Sequence, residues 1–190
     1  MKEDIKKYNL NYDGLTSILF GGGTPSLMPL RIIESILNTS FKVFNFNDNI
    51  EISLEANPSS YETKKFVDLK KLGVNRISIG AQSLNSRNLK FLGRLHNVND
   101  ISRSLNHATK IFNNVSADLM YAFYGQDLDL WINELETFIK NFDLKHISLY
   151  QLTIEKGTKF FTDYKRGVIQ LMDNDLAADF YTKTNLILNN

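Results

Sequence analysis

The sequence predicts an α/β fold built on parallel strands, and two observations carry that expectation. Short runs rich in Ile, Leu, Val and Tyr alternate with segments whose apolar residues recur at three- and four-residue steps. Polar groups also recur at the ends of those runs: GGGTP after the first, Glu55-Ala-Asn-Pro58 after the second, Gln82 after the third, and Asp118 within the fourth. Repeated β-then-α units imply parallel strands joined by right-handed crossovers. An open doubly wound sheet and a β/α barrel both satisfy the pattern, and both bind ligands beyond the carboxyl ends of the strands.

Taken in order, strands are expected over residues 16–20 (TSILF), 50–54 (IEISL), 76–81 (RISIGA), 115–121 (VSADLMY) and 146–151 (HISLYQ). Their brevity and apolar content read as strands covered on both faces. The stripe Leu30, Ile33, Leu37 and Phe41 predicts the first helix. The second, over ETKKFVDLKKLG, has Ser59 and Ser60 as its start signal and Gly73 as its stop. Val98, Ile101, Leu105, Ala108 and Phe112 predict a third, and Leu128, Trp131, Leu135, Phe138 and Phe142 a fourth. A last helix is expected over residues 172–188. With no internal repeat, low-complexity tract or linker, residues 1–190 read as one domain.

Composition narrows the function. The 190 residues carry a net charge of +1 and no Lys/Arg cluster, which points away from nucleic acid. No apolar run approaches the ~18 residues of a membrane span. The start, MKEDIKKYN, lacks the apolar core of a signal peptide, so a cytoplasmic location is expected. There are no cysteines, which excludes disulfides, thiolate metal sites and a cysteine nucleophile. His96, His107 and His146 stand at no metal-ligand spacing and read as ordinary surface or core histidines. No G-x-S-x-G elbow occurs.

The triple glycine at Gly21–Gly23 is the strongest local signal. A phosphate loop requires Lys-Ser/Thr after its last glycine, and none follows. The dinucleotide fingerprint fails because Ser26 and Leu27 stand where its final glycine belongs. Pro25 also removes a backbone donor. A plain strand-to-helix turn is the simpler reading, although each glycine costs roughly 0.5–1 kcal/mol in chain entropy. Glu55 could accept from a ligand amine or hydroxyl, or serve as a cap. Arg94 could clamp a carboxylate bidentately or form a surface ion pair. Asp118 lies between Ala117 and Leu119, where a buried carboxylate needs hydrogen-bond partners. Spacing alone supports an α/β protein that binds a small polar ligand at one rim.

The blocks ILFGGGTPSLMP, EISLEANPSS, LGVNRISIGAQSLN, LKFLGRLH, ADLMY followed by GQD, and HISLYQLTIEKGTKF carry a specific resemblance. In order and spacing they are similar to the oxygen-independent coproporphyrinogen III oxidases and the HemW-type heme chaperones of the radical S-adenosylmethionine (SAM) superfamily. GGGTPSL, EANP, LGR-x-H and SLYQLTIE-x-GT resemble the HemW branch. The resemblance implies a partial parallel β/α barrel with SAM across the strand ends. Gly22, Gly23 and Thr24 would meet its amino end, assisted by Glu55. Arg94 would pair with its carboxylate, and Gln82 and Asp118 would hold the ribose hydroxyls.

The resemblance also breaks in three places. The family's Cys-x3-Cys-x2-Cys loop, which ligates a 4Fe–4S cluster, has no counterpart in a chain without cysteine. MKEDIKKYNL resembles the end of the family's first helix, so the chain is expected to be truncated at both ends. It would lack the first strand, the cluster segment and a C-terminal domain. Residues 16–20 would then form an apolar edge strand, and the isolated chain would be marginally stable or aggregate. Where relatives read Gly-Leu-Pro-Gly-Gln, this chain reads Ala122-Phe-Tyr-Gly-Gln126, implying relaxed constraint or an altered loop. The family role is heme binding and delivery to respiratory enzymes, and this chain alone is expected to be catalytically inactive. The alternative is a non-catalytic SAM- or heme-binding module, alone or paired with a separate cysteine-bearing chain. An intact coproporphyrinogen III oxidase fits worst.

Overall fold

The computed structural model describes residues 14–189. The expectations placed on MKEDIKKYNL and on a strand before it lie outside the described residues. Five strands form one sheet: β1 (Leu15–Phe20), β2 (Phe46–Ala56), β3 (Arg76–Gln82), β4 (Asn114–Tyr121) and β5 (His146–Gln151). All four pairings are parallel, and the strands lie side by side in chain order.

That order decides between the two architectures left open by the pattern. Every crossover steps the same way, so with a fixed right hand every connecting helix lies on the same face. A doubly wound sheet reverses direction and covers both faces; this one curls into a half-barrel. The helices are α1 (Leu30–Val43), α2 (Ser60–Thr63), α3 (Phe66–Lys71), α4 (Ser86–Phe91), α5 (Val98–Ile111), α6 (Leu128–Asn141), α7 (Lys159–Lys165) and α8 (Asn174–Leu188).

Alternation along each strand separates two faces. Ile52, Leu54, Ile77, Ile79, Ala117 and Leu119 point outward and are buried under Ile33, Leu37, Phe66, Leu69, Leu105, Leu135 and Phe138. Each of the Ile, Leu and Phe side chains among them contributes about 1.5–3 kcal/mol when fully buried. Trp131 is fully buried between layers, stacked 5.5 Å from Tyr121, and its indole N–H donates to Thr184 Oγ1 at 2.8 Å. That bond fastens α8 to α6 without leaving a buried donor unpaired.

The opposite, concave face is polar, which corrects the expectation of strands apolar on both sides. Ser17 pairs with Glu51, Glu55 with Ser78, Ser78 with Ser116, and Asp118 with Ser148. The period-2 alternation of Ile-Glu-Ile-Ser-Leu-Glu and Ser-Ala-Asp-Leu already contains this face.

Other boundaries shift for local reasons. β2 starts four residues before Ile50, because β1 pairs Leu15 with Phe46 and the Phe46 ring packs 4.4 Å from Phe41. The expected second helix divides into α2 and α3, where the Lys65 N–H bonds to the Glu62 carbonyl in an i→i+3 turn. α4 and α7 were not expected. The last helix starts at Asn174, with Asp173 capping the N–H groups of Asp175 and Leu176.

Candidate functional site at the strand ends

The carboxyl ends of β1 to β4 converge on a cavity of about 110 Å³. Gly23, Thr24, Glu55, Asn57, Gln82 and Asp118 supply its loop and side-chain walls. Ligand pockets typically run from ~300 Å³ upward, so the enclosed part suits one polar end of a larger ligand.

The glycine loop leaves β1 and turns at once. Gly22 and Gly23 have φ of +80° and +62°, a left-handed conformation that favours glycine. At Gly21 space is tight: a Cβ there would sit 3.3 Å from Glu55 Oε1, the tip of a flexible side chain. Glu55 reaches across from β2, and its Oε2 accepts from the Gly22 N–H at 3.2 Å. Thr24 then leads into a single 3-10 turn, Pro25–Leu27, so Pro25 occupies a position where no backbone donor is needed.

At the end of β3 the pairing with β4 is irregular between Ile79 and Gln82, and Gln82 itself has φ of +69°. A non-glycine residue in this region is strained, and such positions gather at functional sites. Its amide folds back over Gly80, where a Cβ would come within 2.8 Å of Gln82 Nε2. The loop beyond is gripped by Glu134 on α6, which accepts from the Ser83 hydroxyl, the Leu84 N–H and the Asn88 amide. Burial pushes the Glu134 carboxyl above the ordinary range, against those three donors.

Asp118 extends from β4 into the cavity. Ser78 Oγ donates to its Oδ1 at 3.0 Å, and Ser116 Oγ donates to Ser78 Oγ at 2.8 Å. Burial raises the Asp118 pKa and the Glu55 charge adds to this, while the Ser78 and Ser148 hydroxyls and His146 oppose it. Glu55 and Asp118 therefore make an acceptor-rich cavity suited to a ligand bearing an amine and hydroxyls.

Of the seven residues singled out from sequence, five line this cavity: Gly23, Thr24, Glu55, Gln82 and Asp118. Gly22 joins it through its bond to Glu55. Arg94 does not line it. It follows Gly93, whose φ is +67°, and borders a separate cavity of about 280 Å³ with Leu89 and His96. The residue is exposed overall, but its guanidinium is partly withdrawn from water, which lowers its pKa, and it joins none of the ion pairs among the described residues. Sequence reasoning missed Asn57 and Gly80 as lining residues, although both stand inside motifs it quoted. The histidines lie elsewhere: a His96 ring nitrogen is 3.2 Å from the Ala81 carbonyl, and His107 stacks on Phe66 at 6.1 Å.

A family model described as the Radical SAM superfamily matches residues 1–137. The chain is 40% identical to the mitochondrial radical S-adenosyl methionine domain-containing protein 1 of Danio rerio, over 88% of this chain and 38% of that protein. It is 39% identical to the heme chaperone HemW of Haemophilus influenzae, over 99% of this chain and 49% of that protein. The chain thus spans less than half the length of these curated relatives. Among solved structures, coproporphyrinogen III oxidase (HemN) from Escherichia coli superposes with a TM-score of 0.77 at 24% identity, covering 92% of this chain and 40% of that one. Archaeal Elp3 from Methanocaldococcus infernus gives 0.70 at 19% identity, covering 96% of this chain and 47% of that one. These two likenesses concern the fold.

Proposed function

The chain belongs to the radical SAM superfamily, and from that premise we propose that its strand-end cavity binds S-adenosylmethionine as part of a HemW-like heme chaperone. The observation that carries the reading is the convergence of Gly23, Thr24, Glu55, Gln82 and Asp118 on one cavity. The acceptors suit the ligand group by group. Glu55 would receive the ammonium beside the glycine loop, and Gln82 and Asp118 the ribose diol. Arg94, a cation without an acid partner among the described residues, would meet the carboxylate at the rim.

A 4Fe–4S cluster does not fit the residues present. Such clusters are held by thiolates, and the 190 residues contain no cysteine. Nor does any group of three or more His, Asp or Glu among the described residues offer a metal site. Binding, orientation and exclusion of water are what these residues supply. Reductive cleavage of SAM would require cysteines from another polypeptide segment.

The heme part of the proposal rests on the relatives named heme chaperones. Among the described residues no helix is long and apolar enough to cross a membrane. We keep a cytoplasmic location and heme delivery to respiratory enzymes as parts of the same proposal; fractionation of source cells tests the first.

Equilibrium dialysis with SAM tests the ligand. Micromolar binding that is lost in Asp118→Ala and weakened in Arg94→Ala is expected, and no binding to the wild-type chain would overturn it. Hemin titration tests the cargo: a saturable Soret shift at one equivalent is expected, and a non-saturating one contradicts it. Binding of SAM without hemin would favour the plain SAM-binding module.

A further inference from the structure

A second set of buried polar groups grips the glycine loop from behind the cavity. Glu62, on α2, is only 3% exposed, and Ser26, which directly follows GGGTP, is 1% exposed. Glu62 Oε2 accepts from the Ser26 hydroxyl and from the Asn57 N–H, the latter at 2.8 Å. Its Oε1 accepts from Ser59 Oγ at 3.1 Å. One turn later, Lys65 Nζ donates to the carbonyls of Ser26, Leu27 and Met28 at 2.9, 3.3 and 3.3 Å.

A buried carboxylate is expensive unless its oxygens are filled with donors, and here they are. Helix capping accounts for Ser59 alone, whose Oγ also receives the Glu62 N–H at 3.2 Å. The remaining contacts leave α2 for two loops: the turn after the triple glycine, and the EANP segment that carries Glu55 and Asn57. Both loops line the cavity. The glycines themselves bring almost no packing, since a Cβ at Gly22 or Gly23 would meet nothing within 4 Å. A loop with so little of its own to hold it needs its far end fixed.

We infer that Glu62 and Lys65 are positioning residues that hold the glycine loop in register with Glu55 and Asn57, so that the loop is preformed for its ligand. This rests on the reading of the cavity as the SAM site for its functional meaning, but the clamp itself is a property of the free chain. Residues that touch the ligand are then only the inner layer of the site, and its affinity depends on a helix outside the cavity.

The test combines backbone ¹⁵N relaxation on the free 190-residue chain with SAM dialysis. In the wild type, the amides of Gly22 and Gly23 are expected to have order parameters near the ~0.85 of rigid backbone. In Glu62→Gln and Ser26→Ala they should fall toward ~0.6, while Ile79 and Leu119 in the central strands stay unchanged. Ser26→Thr, which keeps the hydroxyl, should restore the loop. Dissociation constants for SAM should rise about tenfold in the two loosened variants, the scale of one lost charge-assisted hydrogen bond. A glycine loop equally rigid in wild type and both variants overturns the inference, as does loosening that spreads equally to the central strands. Failure of the wild-type chain to bind SAM overturns the ligand assignment instead and leaves the clamp to be judged by relaxation.

Discussion

Three consecutive glycines stand in the loop for two different reasons. Gly22 and Gly23 supply left-handed backbone in open space, whereas Gly21 keeps clear of the Glu55 carboxylate. Gly80 does a third thing: it leaves room for the Gln82 amide that folds over it. Because the obstructing atom is the tip of a flexible side chain, Gly80→Ala should fold normally and displace Gln82. We expect SAM affinity to fall several-fold with the melting midpoint nearly unchanged. Asp118 gives a pH-dependent counterpart. Ser78 is one of the donors holding its raised pKa down, so Ser78→Ala should raise that pKa further. Since ligand hydroxyls bind the ionised form, the acid limb of SAM binding should move to higher pH, as read from dialysis across a pH series. Glu55, Gln82 and Asp118 were legible in the sequence because each is a polar residue in or just after an apolar run, Glu55 and Gln82 at strand ends and Asp118 inside β4. Glu62 was not, because Ser59-x-x-Glu62 looks like an ordinary helix start and its one distant partner, Ser26, lies 36 residues back.

Among the elements, the turn after β4 carries a cost that can be measured. Ala122 has φ of +56° and is 4% exposed, so a buried L-residue holds a left-handed turn there. Left-handed backbone costs an L-residue roughly 1–2 kcal/mol, against ~0.8 kcal/mol for one buried methyl. Ala122→Gly should stabilise the fold by about 0.5–1 kcal/mol, raising the thermal midpoint by ~2 °C. Glu134 makes the β3–α4 connection pH-sensitive. Its folded pKa is raised by burial, so the folded state binds this proton more tightly than the unfolded chain does. Stability present below the ordinary Glu range is then lost as pH rises through the raised value. Glu134→Gln should flatten that part of the stability profile in denaturant titrations. The long elements were legible from their period, whereas α4 and α7 were not: α4 buries Leu89 alone, and α7 buries no side chain. Six or seven residues with so little burial leave no stripe to read.

Over the whole molecule, the strand sequence explains why the cavity lies where it does. Singly wound connections put every helix outside, so the concave face is left to serines, carboxylates and Arg76, which bonds Glu51 at 3.1 Å. The alternation that creates this face is present in the sequence, but the high Ile, Leu and Val content masks it when each run is read as a block. β1 pairs with β2 alone among the described strands, and Leu19 on its concave side is 65% exposed. One end of SAM is expected to enter the cavity between the glycine loop and Asp118. Titration of SAM into the ¹⁵N-labelled 190-residue chain tests it most directly. The amides of Gly22, Gly23 and Gln82 should shift together with one dissociation constant, while that of Ile169, near a separate cavity, stays still. Saturable shifts confined to other residues, or none at any of these three, would contradict it.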